Sequence, residues 1–272
     1  MRKVFEAPSV MPAQAGIHLT MHPEVSNTLQ RLLAAARGVL RENFVGLYGY
    51  GSLALGDFDP ETSDIDFIVV TAGEIPVEGI AALEAMHTRL WASGAHWALK
   101  LEGRYLPRPA LRRYNPNNPA RPCVNEGRFY LSPEEPDWII HRDVLREHPA
   151  VVAGPSLSPL MDPVSPDELR GAVRVTLREW WAPMLAEPAR LRDDAYQAYA
   201  ILTMCRVLYT LRHGAIVSKP VAARWAQTTL GEPRAALITR ALAWQPGAPM
   251  NAFDEIVNVI RNTIARSESK SG

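Results

Sequence analysis

The chain has 272 residues, 47% of them hydrophobic, enough to bury a substantial core in one large domain or two ordinary ones. Lysine plus arginine and aspartate plus glutamate both number 29, so no net charge draws a polyanion, and a nucleic-acid partner is not expected. Cys123 and Cys205 lie far apart with no CxxC spacing, which argues against a disulfide framework or a zinc knuckle and for reduced, buried thiols.

The N-terminal stretch "MRKVFEAPSVMPAQAGIHLTMHPEV" carries Pro8, Pro12 and Gly16 where a signal peptide needs an unbroken apolar run, and no apolar run of about 18 residues occurs elsewhere. The expectation is a cytoplasmic protein without membrane contact. Residues 1–21 read as an extension, with Met21 as an alternative start. From Pro23 to Glu42, Val25, Leu29, Leu32, Leu33, Ala36 and Leu40 recur near the helical period. "NFVGLYGY" reads as a strand ending in a glycine turn. A helix starts near Ser52, and "DIDFIVV" is the next strand after the turn-forming "GDFDPETS". Ile80 to Ala92 reads as helix, and His96 to Tyr105 as strand. Pro107 to Pro122, with five prolines, reads as loop, and "EGRFYLS" as a further strand.

This order predicts a mixed sheet with helices packed on it. Beyond "SPLMDPVSPDEL" the pattern is helical. Ser165, Pro166 and Glu168 form a capping-box signature, and a long helix from Ala195 to Arg212 stops at His213-Gly214. Helices follow at Pro220 to Leu230, Pro233 to Ala243 and Ala252 to Arg266, before a polar tail, "SESKSG". The fold class is therefore α+β, a mixed-sheet domain over 22–162 followed by an all-α helical bundle over 163–267, with 268–272 as a disordered tail.

Asp64 and Asp66 alternate with Ile65 and Phe67, so in a strand both carboxylates share one face while the apolar pair faces the core. Two such carboxylates suit magnesium, a hard cation that relieves their repulsion. A pair of metal ions about 3.5 to 4 Å apart holds the attacking and leaving oxygens of a phosphoryl displacement. A third carboxylate, Glu102, falls in the strand after the next helix and joins the pair if the two strands are neighbours, as a metal bridge or as base toward an attacking hydroxyl. The turn from Gly49 to Ser52, with Gly51 at its centre, offers backbone N–H groups and a hydroxyl to phosphates. A P-loop is excluded, because Asp57-Phe58 stands where that motif needs Lys-Ser/Thr. His141 and His148, seven apart with no metal-ligand spacing, read as surface or capping residues.

"GSLALGDFDPETSDIDFIVV" resembles the GSxxxG…SDID motif of the polymerase-beta-like nucleotidyltransferase superfamily, which moves a nucleoside monophosphate from a triphosphate to an acceptor. "LMDPVSPDEL" and "RVLYTLRHGAIVSKPVAARWA" resemble the junction and helical domain of the bacterial streptomycin/spectinomycin adenylyltransferases. The resemblance implies ATP and two magnesium ions held by Asp64, Asp66 and Glu102, with Glu102 as catalytic base. It implies Gly51, Ser52 and Ser63 at the triphosphate, Arg206 and Lys219 as phosphate contacts, and Trp244 on the adenine. For a polycationic aminoglycoside it implies an acidic and aromatic site drawn from Trp180, Trp181, Glu187, Asp193 and Asp194, although the spacing there is longer than the family's usual one. The implied partner is a small-molecule acceptor, with the protein a monomer or weak homodimer. Another small hydroxylated acceptor, a protein side chain, or a non-catalytic nucleotide-binding module remain as alternatives.

Overall fold

A computed structural model describes residues 22–268. The first element is α1 (Pro23–Leu40), whose apolar stripe buries Val25, Leu29, Leu32 and Leu33. A 3-10 turn leads into β1 (Phe44–Gly49), then the short α2 (Gly51–Leu55), β2 (Ile65–Thr71), α3 (Val77–Ala92) and β3 (Leu101–Pro107). After β3 come a single turn α4 (Arg108–Leu111), β4 (Arg121–Asn125), β5 (Arg128–Ser132), α5 (Trp138–Glu147) and β6 (Ala150–Ala153).

The six strands form one mixed sheet in the order β5-β4-β3-β2-β1-β6. Among the described residues only β2 and β3 run parallel, and the crossover between them is α3. On one face, α1 and α3 bury Leu47, Ile65, Phe67, Val69, Leu83 and Tyr105. On the other, Tyr48, Tyr50, Ile68, Val70 and Leu106 pack with Trp138 and Leu145 of α5. Alternation along β2 therefore sends Asp66 to the α5 face, while Ile65 and Phe67, both fully buried, fill the α1/α3 core.

The remaining elements are helical: α6 (Pro166–Thr176), a π-helical turn (Leu177–Trp181), α7 (Ala182–Ala186), α8 (Asp194–His213), α9 (Lys219–Leu230), α10 (Arg234–Leu242) and α11 (Phe253–Glu268). The capping box at Ser165 and Glu168 is formed in both directions, and α8 ends on Gly214 at φ 64. This bundle has its own core, centred on Trp181, Ile201, Met204, Ala223, Ile238 and Ile256.

Two readings of the sequence are corrected, and one strand went unread. His96–Ala98 is a 3-10 turn and its strand starts only at Leu101, because Trp97 is drawn into the core against Phe58. The proline-rich stretch is not all loop: Pro122 lies in β4, beside the buried Arg121, which is ion-paired to Glu74 and Glu134. The edge strand β6, paired with β1, is only four residues long and had no alternation to signal it. The N-terminal extension and residues 269–272 of the tail lie outside the described residues, and Ser267 and Glu268 complete α11.

Candidate active site

Strand pairing sets the geometry of the acidic cluster. In the parallel β2/β3 ladder Asp66 stands opposite Glu102, so two carboxylates from segments 36 residues apart occupy paired positions on one face. Burial pushes the Asp66 carboxyl up to about 7, with Glu102 and Asp64 adding to the shift and His141 and Lys219 opposing it. Burial also raises Glu102, helped by Asp64, Glu126 and Asp137 and again opposed by His141. These are the marks of like charges held together out of water.

The turn before α2 comes as close as backbone allows. Gly51 has φ 59, and a Cβ there would lie 1.9 Å from Asp66 Oδ2. Glycine is required on both counts. The Tyr50 N–H donates to the Asp66 carbonyl at 3.1 Å, tying the turn to β2. Ser52 is half-buried in α2. Ser63 closes its own loop, its Oγ accepting from the Asp59 N–H at 3.0 Å. Asp64, one residue ahead of β2, is exposed and pairs with Lys100 Nζ at 3.2 Å.

Among the described residues no three His, Cys, Asp or Glu side chains already stand as a complete metal-ligand set. Asp64, engaged by Lys100, is the member of the expected trio that must change partner. The donor chemistry still fits magnesium, which takes one or two carboxylates and fills its remaining positions with water and substrate phosphate.

The helical bundle contributes the opposite charge. Ser218 caps α9 by accepting from the Val221 N–H, which places Lys219 at the first turn. The Lys219 ammonium lies 4.2 Å from the centre of the Tyr199 ring. Burial, with Arg206 adding, lowers it to about 8, while Asp66, Asp64 and Glu102 hold it up. Lys219 and Arg206 thus belong to the same electrostatic cluster as the carboxylates. The sheet and bundle also meet where Arg224 of α9 lies near Asp57.

Sequence reasoning missed three residues here. His141 of α5 was read as a surface or capping residue, yet its ring packs 5.1 Å from Tyr50 and 5.8 Å from Trp138, and its charge is felt by Asp66 and Glu102. Asp137 anchors it at 3.8 Å; burial works to raise this carboxyl, but His141 and Arg104 outweigh burial and hold it low. Tyr199 presents an exposed ring beside Lys219. A lone histidine at no ligand spacing and a tyrosine within a helical run carry no local signal, because only packing brings them to the cleft.

The expected acceptor residues separate. Pro183 has no N–H to give the Glu179 carbonyl, and the helix passes Leu177–Trp181 as a π turn. Trp180 is 45% exposed, whereas Trp181 is 1% exposed in the bundle core, stacked on Tyr199. Trp181 offers no face to an acceptor. Asp193 is the N-cap of α8, accepting from the Tyr196 N–H at 2.8 Å. Asp194 accepts from the N–H groups of Met250 and Asn251. Both aspartates are committed to helix and loop structure, while Glu187 is exposed. Trp244 is partly buried against the bundle core and donates to the Ala248 carbonyl at 2.8 Å, closing its own turn.

Comparison with known proteins agrees with this architecture. Residues 34–102 match the family model for the nucleotidyltransferase domain, and residues 159–266 that for the C-terminal domain of aminoglycoside adenylyltransferase. The aminoglycoside (3'') (9) adenylyltransferases of Shigella flexneri and Escherichia coli are each 27% identical over 220 residues, covering 76% of this chain and 80% of theirs. That of Rhizobium radiobacter is 27% identical over 216 residues, 75% of this chain and 76% of its own. The crystal structure of spectinomycin adenyltransferase AAD(9) from Enterococcus faecialis, with ATP and spectinomycin, superposes with a TM-score of 0.70 at 18% identity, covering 89% of this chain and 99% of that one. The chain is an enzyme of the nucleotidyltransferase kind, similar to the bacterial aminoglycoside adenylyltransferases in its nucleotidyltransferase domain and its helical C-terminal domain.

Proposed function

We propose that this enzyme transfers AMP from ATP to a hydroxyl of an aminoglycoside-type antibiotic, spectinomycin or streptomycin, releasing pyrophosphate. The observation that carries this reading is the paired placement of Asp66 and Glu102 in neighbouring strands, with Lys219 of the bundle in the same electrostatic cluster. Asp64, Asp66 and Glu102 are the residues to hold magnesium, which when bound neutralises triphosphate charge. Glu102, whose proton affinity is raised by burial, accepts the proton of the acceptor hydroxyl as its oxygen attacks the α-phosphorus. Lys219 and Arg206 stabilise the charge that gathers on departing pyrophosphate. Gly51 and Ser52 at the start of α2 and Ser63 just ahead of β2 are the candidates for the triphosphate, and Trp244 is the candidate for adenine. The similarity to aminoglycoside (3'') (9) adenylyltransferases supports an aminoglycoside acceptor, and the exposed Trp180 and Glu187 are the acceptor contacts left once Trp181, Asp193 and Asp194 are assigned to structure.

The test is incubation of the purified protein with ATP, magnesium and each drug, followed by mass spectrometry. A drug mass increased by one AMP is the expected product. Pyrophosphate-releasing activity with neither drug modified, but with another hydroxylated compound or a protein labelled, would reassign the acceptor and leave the transfer chemistry in place.

A further inference from the structure

Between α7 and α8 a 3-10 turn, Arg190–Arg192, carries an exposed arginine with an unusual setting. The Arg190 guanidinium lies 5.6 Å from the centre of the Trp180 ring and 5.6 Å from that of Tyr196. It has no carboxylate partner and no side-chain hydrogen bond among the described residues. Two aromatic faces hold it instead.

One of those rings leads toward the catalytic cluster. Tyr196 packs 5.4 Å from Tyr199, the ring that carries Lys219. Glu179, beside Trp180, is felt by Tyr114 on the sheet-bearing side. The seat of Arg190 against Trp180 and Tyr196 is thus linked, through Tyr199, to Lys219 of the catalytic cluster. Aromatic faces at that spacing are a site for a guanidinium or ammonium group. In this chain the group is already supplied, and by a tether that keeps its local concentration high.

We propose that Arg190 is a built-in occupant of the acceptor's aromatic slot and sets acceptor specificity by competing with guanidinium-bearing acceptors. The inference rests on the aminoglycoside reading, under which Trp180 is an acceptor contact. An incoming guanidinium gains the slot only by displacing Arg190, and while both are present they repel. An acceptor that places hydroxyls or secondary amines nearby does not need to enter.

Calorimetric titration of the full chain, with magnesium and a non-hydrolysable ATP analogue, tests this with two probes: streptomycin, which bears two guanidinium groups, and spectinomycin, which bears none. Arg190→Ser is expected to bind streptomycin roughly three- to tenfold tighter, the scale of a cation–aromatic contact released. Spectinomycin affinity, the KM for ATP and the Tm should all stay near the wild-type values, and Arg190→Lys, which keeps a cation in the slot, should resemble wild type. Unchanged or weaker streptomycin binding by Arg190→Ser overturns the proposal, as does an equal gain for both drugs or no streptomycin binding by either protein. Mass spectrometry on parallel samples with ATP in place of the analogue separates the two readings: AMP transfer to neither drug defeats the aminoglycoside assignment, while the affinity comparison still decides the role of Arg190.

Discussion

Asp66 and Glu102 sit at paired positions of β2 and β3; Asp66 is made harder to ionise by burial and by Glu102, and Glu102 by burial and by Asp64. Asn in place of Asp66 keeps the shape and removes one charge. Asp66→Asn is therefore expected to raise the Tm while lowering AMP transfer by at least about a hundredfold, since a group placed for the transition state is lost; thermal melts and initial rates check both halves. Wild-type turnover in that variant would remove Asp66 from the mechanism. Gly51→Ala belongs to the same scale. Its methyl would press on the Asp66 carboxylate from a backbone at positive φ, so about 1 to 3 kcal/mol of stability is expected to go, together with activity. Urea melts compared with kinetics measure the two losses. The aspartates and the glycine turn were legible because strand alternation and a two-glycine pattern are local features. His141 was not, since its place against Tyr50 depends on how α5 crosses the sheet.

At the level of helices and strands, α8 shows how a residue expected in binding serves folding. Asp193 satisfies a backbone N–H in the first turn of a 20-residue helix. Asp193→Ala is expected to cost about 1 kcal/mol, the usual loss of an N-cap, with little change in acceptor KM. A large KM effect at unchanged Tm would return Asp193 to the acceptor site. The contact of α3 with β3 carries a pH dependence. His87 is fully buried, its Nε2 2.8 Å from the Tyr105 hydroxyl and its Nδ1 without a partner. Burial lowers it from 6.5 to about 4, so the folded protein keeps the ring neutral where the unfolded chain would protonate it. The associated stability is complete above about pH 6.5 and is lost as pH falls through 4, on the order of 3 kcal/mol in all. Chemical denaturation across that range should show the slope, and His87→Gln should flatten it. Helix α8 was legible from its cap residues and period, whereas the π turn before α7 was not, and that turn decides which tryptophan faces out.

For the molecule as a whole, the site exists only where sheet and bundle meet. The carboxylates come from β2 and β3, the cations from α8 and α9, and each side shifts the other's proton affinity. Lys219→Ala is expected to lower kcat/KM for ATP by about a hundredfold with the fold retained, as removal of one charge-stabilising donor does elsewhere. Steady-state kinetics with ATP varied would show it, and an unchanged kcat/KM would end the phosphate role given to Lys219. Alternation, helical period, capping residues and the glycine turn are short-range properties, so the sequence alone determined the α+β order, the Asp64/Asp66 face and the helical second half. The pairing of Glu102 with Asp66, the burial of Trp181, the engagement of Asp194 by Met250 and the seat of Arg190 between two rings were decided by tertiary structure. Each depends on segments distant in sequence packing together, and the free energy of that packing is not written in any one of them.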